Sequence, residues 1–425
     1  MVVQEAVVAV TSVSRTKDLL IKGIASNMRI LVAVLFTIWI LPVAAAVLPD
    51  ERVDVLGHQY EGGGIRVAGP SILVRKNIGR SVSVSANYYV DVVSSASIDV
   101  LASASRYSEE RKQKSVGIDY MHDRTSFSLG YTTSDENDYH AKSYNLGVSQ
   151  TFFGDLTTLN FGFRFGQDQV GKNRKVQGSL TGEPDPDFRL MDKESRGYSF
   201  NLSQILTKNL ITELSLESGT EACVNLLEGG SCLNNPYRNY SYIDPVSNLR
   251  NAAQEKYPLT HNSDAASLRA IYHLPFSASI RADIRNYSDS WGVKAQNAEL
   301  RYVHDFKKNL LVEVKYRVYS QTEADFYSDL FAYKDAKNFM ARDKELSTFA
   351  SQTIGLGVTY KLPWIMPGFE KSTVNLYWDH MKIDYDNFRD YAHFATPKDA
   401  TYKPGEEPLY SLDADVIRLY LSFWF

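Results

Sequence analysis

Val416-Ile417-Arg418-Leu419-Tyr420-Leu421-Ser422-Phe423-Trp424-Phe425 is the stretch on which the fold turns. Side chains of an extended strand point alternately to opposite faces. Ile417, Leu419, Leu421, Phe423 and Phe425 therefore share one face, and Arg418, Tyr420, Ser422 and Trp424 the other. Such a strand turns one face to an apolar phase and the other to a polar one.

The same alternation recurs upstream. Phe127, Leu129 and Tyr131 alternate with Ser126, Ser128 and Gly130, and Leu159, Phe161, Phe163 and Phe165 with Asn160, Gly162, Arg164 and Gly166. Ala278, Ile280, Ala282 and Ile284 alternate with Ser279, Arg281, Asp283 and Arg285. Leu310, Val312, Val314, Tyr316 and Val318 alternate with Leu311, Glu313, Lys315, Arg317 and Tyr319. Soluble sandwich strands run to about five or six residues, whereas a tilted membrane-crossing strand needs about nine to eleven. Tight turns fall near His122-Asp123, Gly154-Asp155, Lys208-Asn209, Pro275 and Lys307-Lys308. Between them lie long polar connections near 94–111, 168–194, 219–262, 321–346 and 385–411. Short turns at one end and long loops at the other are the asymmetry of outer-membrane barrels. The reading is an all-β transmembrane antiparallel barrel of about sixteen strands, with fourteen as the alternative. Gly62-Gly63-Gly64 and Gly69-Pro70 weaken the first two strands, and the triple glycine reads as a kink or bulge. On this fold the final strand resembles a barrel's closing strand and assembly signal, carried by Leu421, Phe423 and Phe425.

The amino terminus reads as an export signal. Arg29 precedes an apolar run from Ile30 to Ile40, followed by Pro42 and the small residues Ala44-Ala45-Ala46. Residues 28–46 are the expected cleaved signal peptide and 47–425 the barrel. Residues 1–27 are an over-long gene start or an extended n-region. Tyr (27) and Phe (20) are plentiful, and the net charge of −4 gives no reason to expect a nucleic-acid partner. The expected partners are outer-membrane lipid, the barrel-assembly machinery and a small solute. Cys223 and Cys232 close a short loop and, in an exported protein, read as a disulfide.

Several segments are not explained by periodicity: Tyr88-Tyr89-Val90-Asp91, Asn234-Asn235-Pro236-Tyr237-Arg238, Ala324-Asp325-Phe326-Tyr327-Ser328-Asp329 and Ala341-Arg342-Asp343-Lys344-Glu345-Leu346-Ser347. With Gly62-Gly63-Gly64 and Gly69-Pro70-Ser71 they resemble the bacterial domain-of-unknown-function family 3570, from about Val53 to Phe425. The resemblance implies an outer-membrane protein of proteobacterial type and supplies no catalytic residues. It carries a hint of envelope redox biology, from thioredoxin-like and flavin-transferase neighbours.

Charges on membrane strands cannot face lipid, where each costs about 2–4 kcal/mol near the midplane. Arg164, Arg281, Asp283, Arg285, Glu299, Arg301, Glu313, Lys315, Arg317 and Asp379 are therefore expected to face the lumen. They would either line a mixed-charge pore or fill a narrow barrel as a salt-bridge ladder. The carboxylates of Asp135-Glu136-Asn137-Asp138 and Glu183-Pro184-Asp185-Pro186-Asp187 lack a regular calcium spacing and read as solvated loop charge. The aromatic segment Ala324 to Leu346 is expected to fold inward as a constriction or pack on the other loops. His140, His261, His273, His304, His380 and His393 offer bases, but Asp379 and His380 are adjacent and point to opposite faces. No catalytic residue, metal site or cofactor is assigned. The expected function is a pore or binding protein for small solutes. The alternatives are a non-conducting scaffold of an envelope complex and, third, an outer-membrane hydrolase.

Overall fold

The computed structural model describes residues 48–95, 107–136, 138–171, 190–224, 231–233, 238–306, 309–363, 368–394 and 402–425. The expected signal peptide, the Glu183–Asp187 carboxylates, Asn137, the 234–237 segment and the Lys307-Lys308 turn lie outside them. Eighteen strands follow in chain order: β1 (Arg52–Gly62), β2 (Ile65–Ile78), β3 (Val82–Ser95), β4 (Tyr107–His122), β5 (Thr125–Asp135), β6 (Tyr139–Phe152), β7 (Thr157–Val170), β8 (Met191–Thr207), β9 (Leu210–Cys223), β10 (Asn239–Ile243), β11 (Arg250–Gln254), β12 (Thr260–Leu274), β13 (Ala278–Asp289), β14 (Lys294–Phe306), β15 (Leu310–Gln321), β16 (Phe349–Lys361), β17 (Lys371–Arg389) and β18 (Leu409–Trp424). Sixteen of them close an antiparallel barrel in which β1 pairs with β18 and β9 with β12, while β10 and β11 form a separate hairpin.

Register turns the sequence alternation into layers. Leu146 lies opposite Phe163, Phe163 opposite Tyr198, and Tyr198 opposite Ser218. One layer nearer the termini, Val148, Phe161, Phe200 and Leu216 form the same row. The outward side chains are large, apolar and exposed: Ile118, Leu129, Leu146, Phe161, Tyr198, Leu268, Ile284, Leu300, Ile354, Leu376 and Leu419. A belt of that composition around a closed barrel is the lipid-facing surface of a membrane protein. Closure leaves no unpaired strand edge in the hydrocarbon, where an unsatisfied backbone group is costly.

The strands run past the belt at the end opposite the termini. On β18 the outward face changes from Leu419 and Ile417 to Asp415 and Asp413, which marks where the strand leaves the hydrocarbon. The alternation in hydrophobicity fades there although pairing continues, so β17 reaches Arg389 and β8 begins at Met191, inside expected loops. The triple glycine is corrected from a kink to a turn. Gly62 pairs with Ile65, and Gly63 and Gly64 (φ 56° and 76°) form the two-residue connection. Positive φ at both central residues is the geometry a tight hairpin requires.

The long connections form a packed cap at that same end. Tyr257, Trp291, Ala324, Phe326, Tyr327 and Ala341 make one apolar cluster, and Tyr240, Tyr242, Phe331 and Met340 a second. The aromatic segment 324–346 thus packs on neighbouring loops, bridging to β10 at Tyr242–Phe331 and to Lys256 at Met340. Arg342 lies 4.3 Å from the Phe388 ring and 4.5 Å from the Tyr391 ring, and pairs with Asp329. Arg250 pairs with the buried Glu407 at 2.9 Å. These contacts tie the connections before β12, β16 and β18 together at that end of the barrel.

Candidate functional site

Arg164, Arg281, Asp283, Arg285, Glu299, Arg301, Glu313, Lys315, Arg317 and Asp379 occupy the strand faces opposite the lipid-facing belt, since their neighbours Phe163, Ile284, Leu300, Val314, Val318 and Trp378 point outward. The interior splits into two walls of different chemistry.

From β9 to β18 the wall is an ion-pair ladder. Arg269 reaches Asp283 (2.5 Å) and Glu213 (3.2 Å), and Arg281 joins the same Asp283 at 2.6 Å. Arg285 grips Glu217 through two bonds of 3.0 and 2.6 Å. Arg301 spans Glu299 (2.7 Å) and Glu313 (2.8 Å), and Asp379 accepts from Lys315 at 2.7 Å and from Arg418. With Arg317, the ladder has seven basic residues against six acidic ones (Glu213, Glu217, Asp283, Glu299, Glu313, Asp379). It is nearly neutral, so each charge is held by its neighbour rather than left as a fixed one-sign field. Gly355 makes room for it: a Cβ there would strike the Asp379 carboxylate and the Lys315 stem.

From β3 to β8 the wall is low and hydroxyl-rich. Ser85 hangs over Gly117, Ser128 over Gly147, Ser195 over Gly166 and Ser199 over Gly162, each where a Cβ would sit. Thr132 donates to Ser115 at 3.0 Å. Small side chains nested on glycines keep this wall low, in a barrel of a strand number that gives a wide interior. Arg164 stands on this wall with no ion pair among the described residues.

A cluster the sequence reading did not single out joins β1 to β3. His58 Nε2 lies 2.6 Å from Asp91 Oδ1 and 3.1 Å from the Tyr89 hydroxyl, with the His58 and Tyr89 rings stacked 5.0 Å apart. His58 is opposite Gly69 of the intervening β2. Toward the outer rim Lys193 pairs with Asp168 (3.2 Å) and Glu221 (3.3 Å), and His261 with Asp289 (3.0 Å). His380, by contrast, faces Asp415 on the outside while its neighbour Asp379 faces in.

In the cap, the Lys256 ammonium and Asp335 carboxylate are 2.5 Å apart. Their hydrogen bond raises the Lys256 pKa and lowers that of Asp335. Burial holds the Tyr257 phenol well above its ordinary range. Asp135 lies 3.3 Å from the His140 ring and Glu136 3.4 Å from Arg111, so that carboxylate loop is engaged by protein side chains. Cys223 and Cys232 are joined by a disulfide. Leu421 and Phe423 lie on the outward face of β18, and Phe369 packs 5.2 Å from Phe423 and 5.9 Å from Phe425. No group of three or more His, Cys, Asp or Glu among the described residues is arranged to hold a metal ion.

A family model described as "Protein of unknown function (DUF3570)" matches residues 99–366. Among solved structures, the outer membrane protein OprD from Pseudomonas aeruginosa superposes with a TM-score of 0.41 at 8% identity, over 88% of this chain and 93% of that one. OccK2 (OpdF) from Pseudomonas aeruginosa, solved in complex with glucuronate, gives 0.40 at 7% identity over 88% and 96%. The siderophore receptor PirA from Pseudomonas aeruginosa gives 0.40 at 10% identity, and the match covers 81% of this chain but 60% of the receptor. No curated protein sequence matches.

Proposed function

We propose a function from the site alone, because the chain belongs to the DUF3570 family, whose description names no activity. The protein is a passive outer-membrane pore for small hydrophilic solutes. The observation that carries this reading is the two-sided interior, with a low Ser/Gly wall facing a neutralised Arg/Glu ladder. The hydroxyls offer weak, replaceable hydrogen bonds, and the paired charges orient polar solutes without trapping them. Arg281, Arg285, Glu299, Arg301, Glu313, Lys315 and Arg317 line the path, and Arg164 meets it from the opposite wall. Export through the signal at 28–46 and insertion through the strand ending in Leu421, Phe423 and Phe425 belong to the same proposal.

The test is liposome swelling with protein purified from membranes. Pentoses and small amino acids are expected to enter at rates that fall steeply with solute size. A folded barrel that admits none of them would overturn the pore and favour a scaffold, for which the tightly packed loop cap would be the docking face.

A further inference from the structure

We propose that the outer face of β6–β8 binds a membrane lipid through its acyl chain and its phosphate, a role separate from the pore. A groove of about 440 Å³ opens on the lipid side of these strands. Two aromatic pairs frame it, Phe163–Tyr198 with ring centroids 5.3 Å apart and Phe161–Phe200 at 5.1 Å, with Leu146 alongside. A groove at this depth has no water to fill it, so its occupant is hydrocarbon.

The headgroup follows from what stands directly above. Arg196 lies two residues beyond Tyr198 on β8, one layer and roughly 7 Å toward the loops. Lys142 lies one layer higher on β6, level with Lys114 of β4 through Thr133 of β5. All three project outward and are exposed. Among the described residues Lys114 and Lys142 have no acidic partner, and Arg196 is held only by Glu194 at 3.2 Å. At this end of β18 the outward positions are Asp413 and Asp415, with Lys382 of β17 opposite Asp413. Lysine point charges beside an arginine fork suit phosphate oxygens. Cations above an acyl groove select a phosphate carried on a lipid rather than one free in solution. The long loops place this rim in the outer leaflet.

The test uses native mass spectrometry of the protein in dodecylmaltoside, titrated with a diphosphorylated diglucosamine lipid. One tightly held lipid is expected on the wild type. The combined Lys114→Ser, Lys142→Ser and Arg196→Ser variant should weaken retention at least tenfold, and Lys142→Ser alone by a smaller factor. Leu146→Trp, which fills the groove from the lipid side, should weaken it as well. Heat-modifiable migration of each variant serves as the control for folding. Equal retention of the dephosphorylated lipid, or unchanged binding by the triple variant, would overturn the site. Displacement of the lipid by millimolar inorganic phosphate would also overturn it, by placing recognition in the charges alone.

Discussion

His58 and Asp91 meet at 2.6 Å across a strand that separates them, because the residue between them on β2 is Gly69. A Cβ at that position would collide with the Val90 carbonyl oxygen and crowd the Asp91 Cα, the backbone that carries the carboxylate. Pro70 follows, and the β2–β3 ladder passes directly from the Ala68–Val92 pair to the Ser71–Tyr89 pair. Gly69-Pro70 is thus the local device that lets β1 and β3 share a buried polar contact.

Gly69→Ala is expected to destabilise the barrel by about 1–3 kcal/mol, the ordinary range for forcing volume into a packed site. The drop would be read as a lower temperature for loss of the compact form in SDS gels. A wild-type melting temperature in this variant would contradict the close approach. His58→Ala should cost more, because it leaves the buried Asp91 carboxylate without its partner.

The barrel itself was legible in the sequence because a period of two in a lipid-facing strand is enforced by the solvent. A single charge on the wrong face is expensive, so the pattern is clean wherever the strand crosses hydrocarbon. That legibility ends where the solvent changes. Beyond Ile417 the outward residues of β18 are Asp415 and Asp413, and in β10 and β11 (Asn-Tyr-Ser-Tyr-Ile and Arg-Asn-Ala-Ala-Gln) packing on Phe331 and Met340 replaces alternation. That these charges share the strand faces opposite the apolar ones was legible from parity. Their pairing was not, since Arg285 and Glu217 lie 68 residues apart and meet only through strand register. One signal was available and missed: reading Gly63-Gly64 as a two-residue turn sets His58 opposite Gly69.

The cap should be tightest around neutral pH. Asp335 has a lowered pKa, so its contribution is present above the unfolded carboxylate value and lost as pH falls through the folded one. Lys256 has a raised pKa, so its contribution is present below the unfolded amine value and lost as pH rises through the folded one. Both side chains are about half exposed (46% and 51%), so the effect is screened by salt. Hydrogen exchange in β10–β11 is expected to accelerate at both extremes. Asp335→Asn should shrink the acid limb, leaving the part carried by Asp244 in the β10–β11 turn, whose pKa is lowered by its hydrogen bond from Ser247; the backbone is suited to the change, because Asp335 has φ 58°, a region Asn tolerates. An acid limb of unchanged size in this variant would contradict the assignment.

Replacing Cys223 and Cys232 together by Ser should leave the barrel's thermal stability unchanged while loosening one loop. The bridge spans a sequence separation of 9, for which chain entropy gives roughly 2–3 kcal/mol, and it joins the last residue of β9 to Cys232, which belongs to no barrel strand. Limited proteolysis is expected to nick the connection between the two positions only in the variant. Equal resistance before and after the change would show that other contacts hold that loop.

Ion selectivity in a planar bilayer tests the charge-lined pore most directly. The wild-type ladder, with seven basic and six acidic residues, should give discrete conductance steps with a weak anion preference. Replacing Arg281, Arg285 and Arg317 by Ser leaves Glu217 without its bidentate partner and the ladder with an excess of carboxylates. The reversal potential under a salt gradient should then change sign to cation preference. Conductance whose reversal potential is the same in wild type and variant, or a folded barrel with no conductance, would contradict the account.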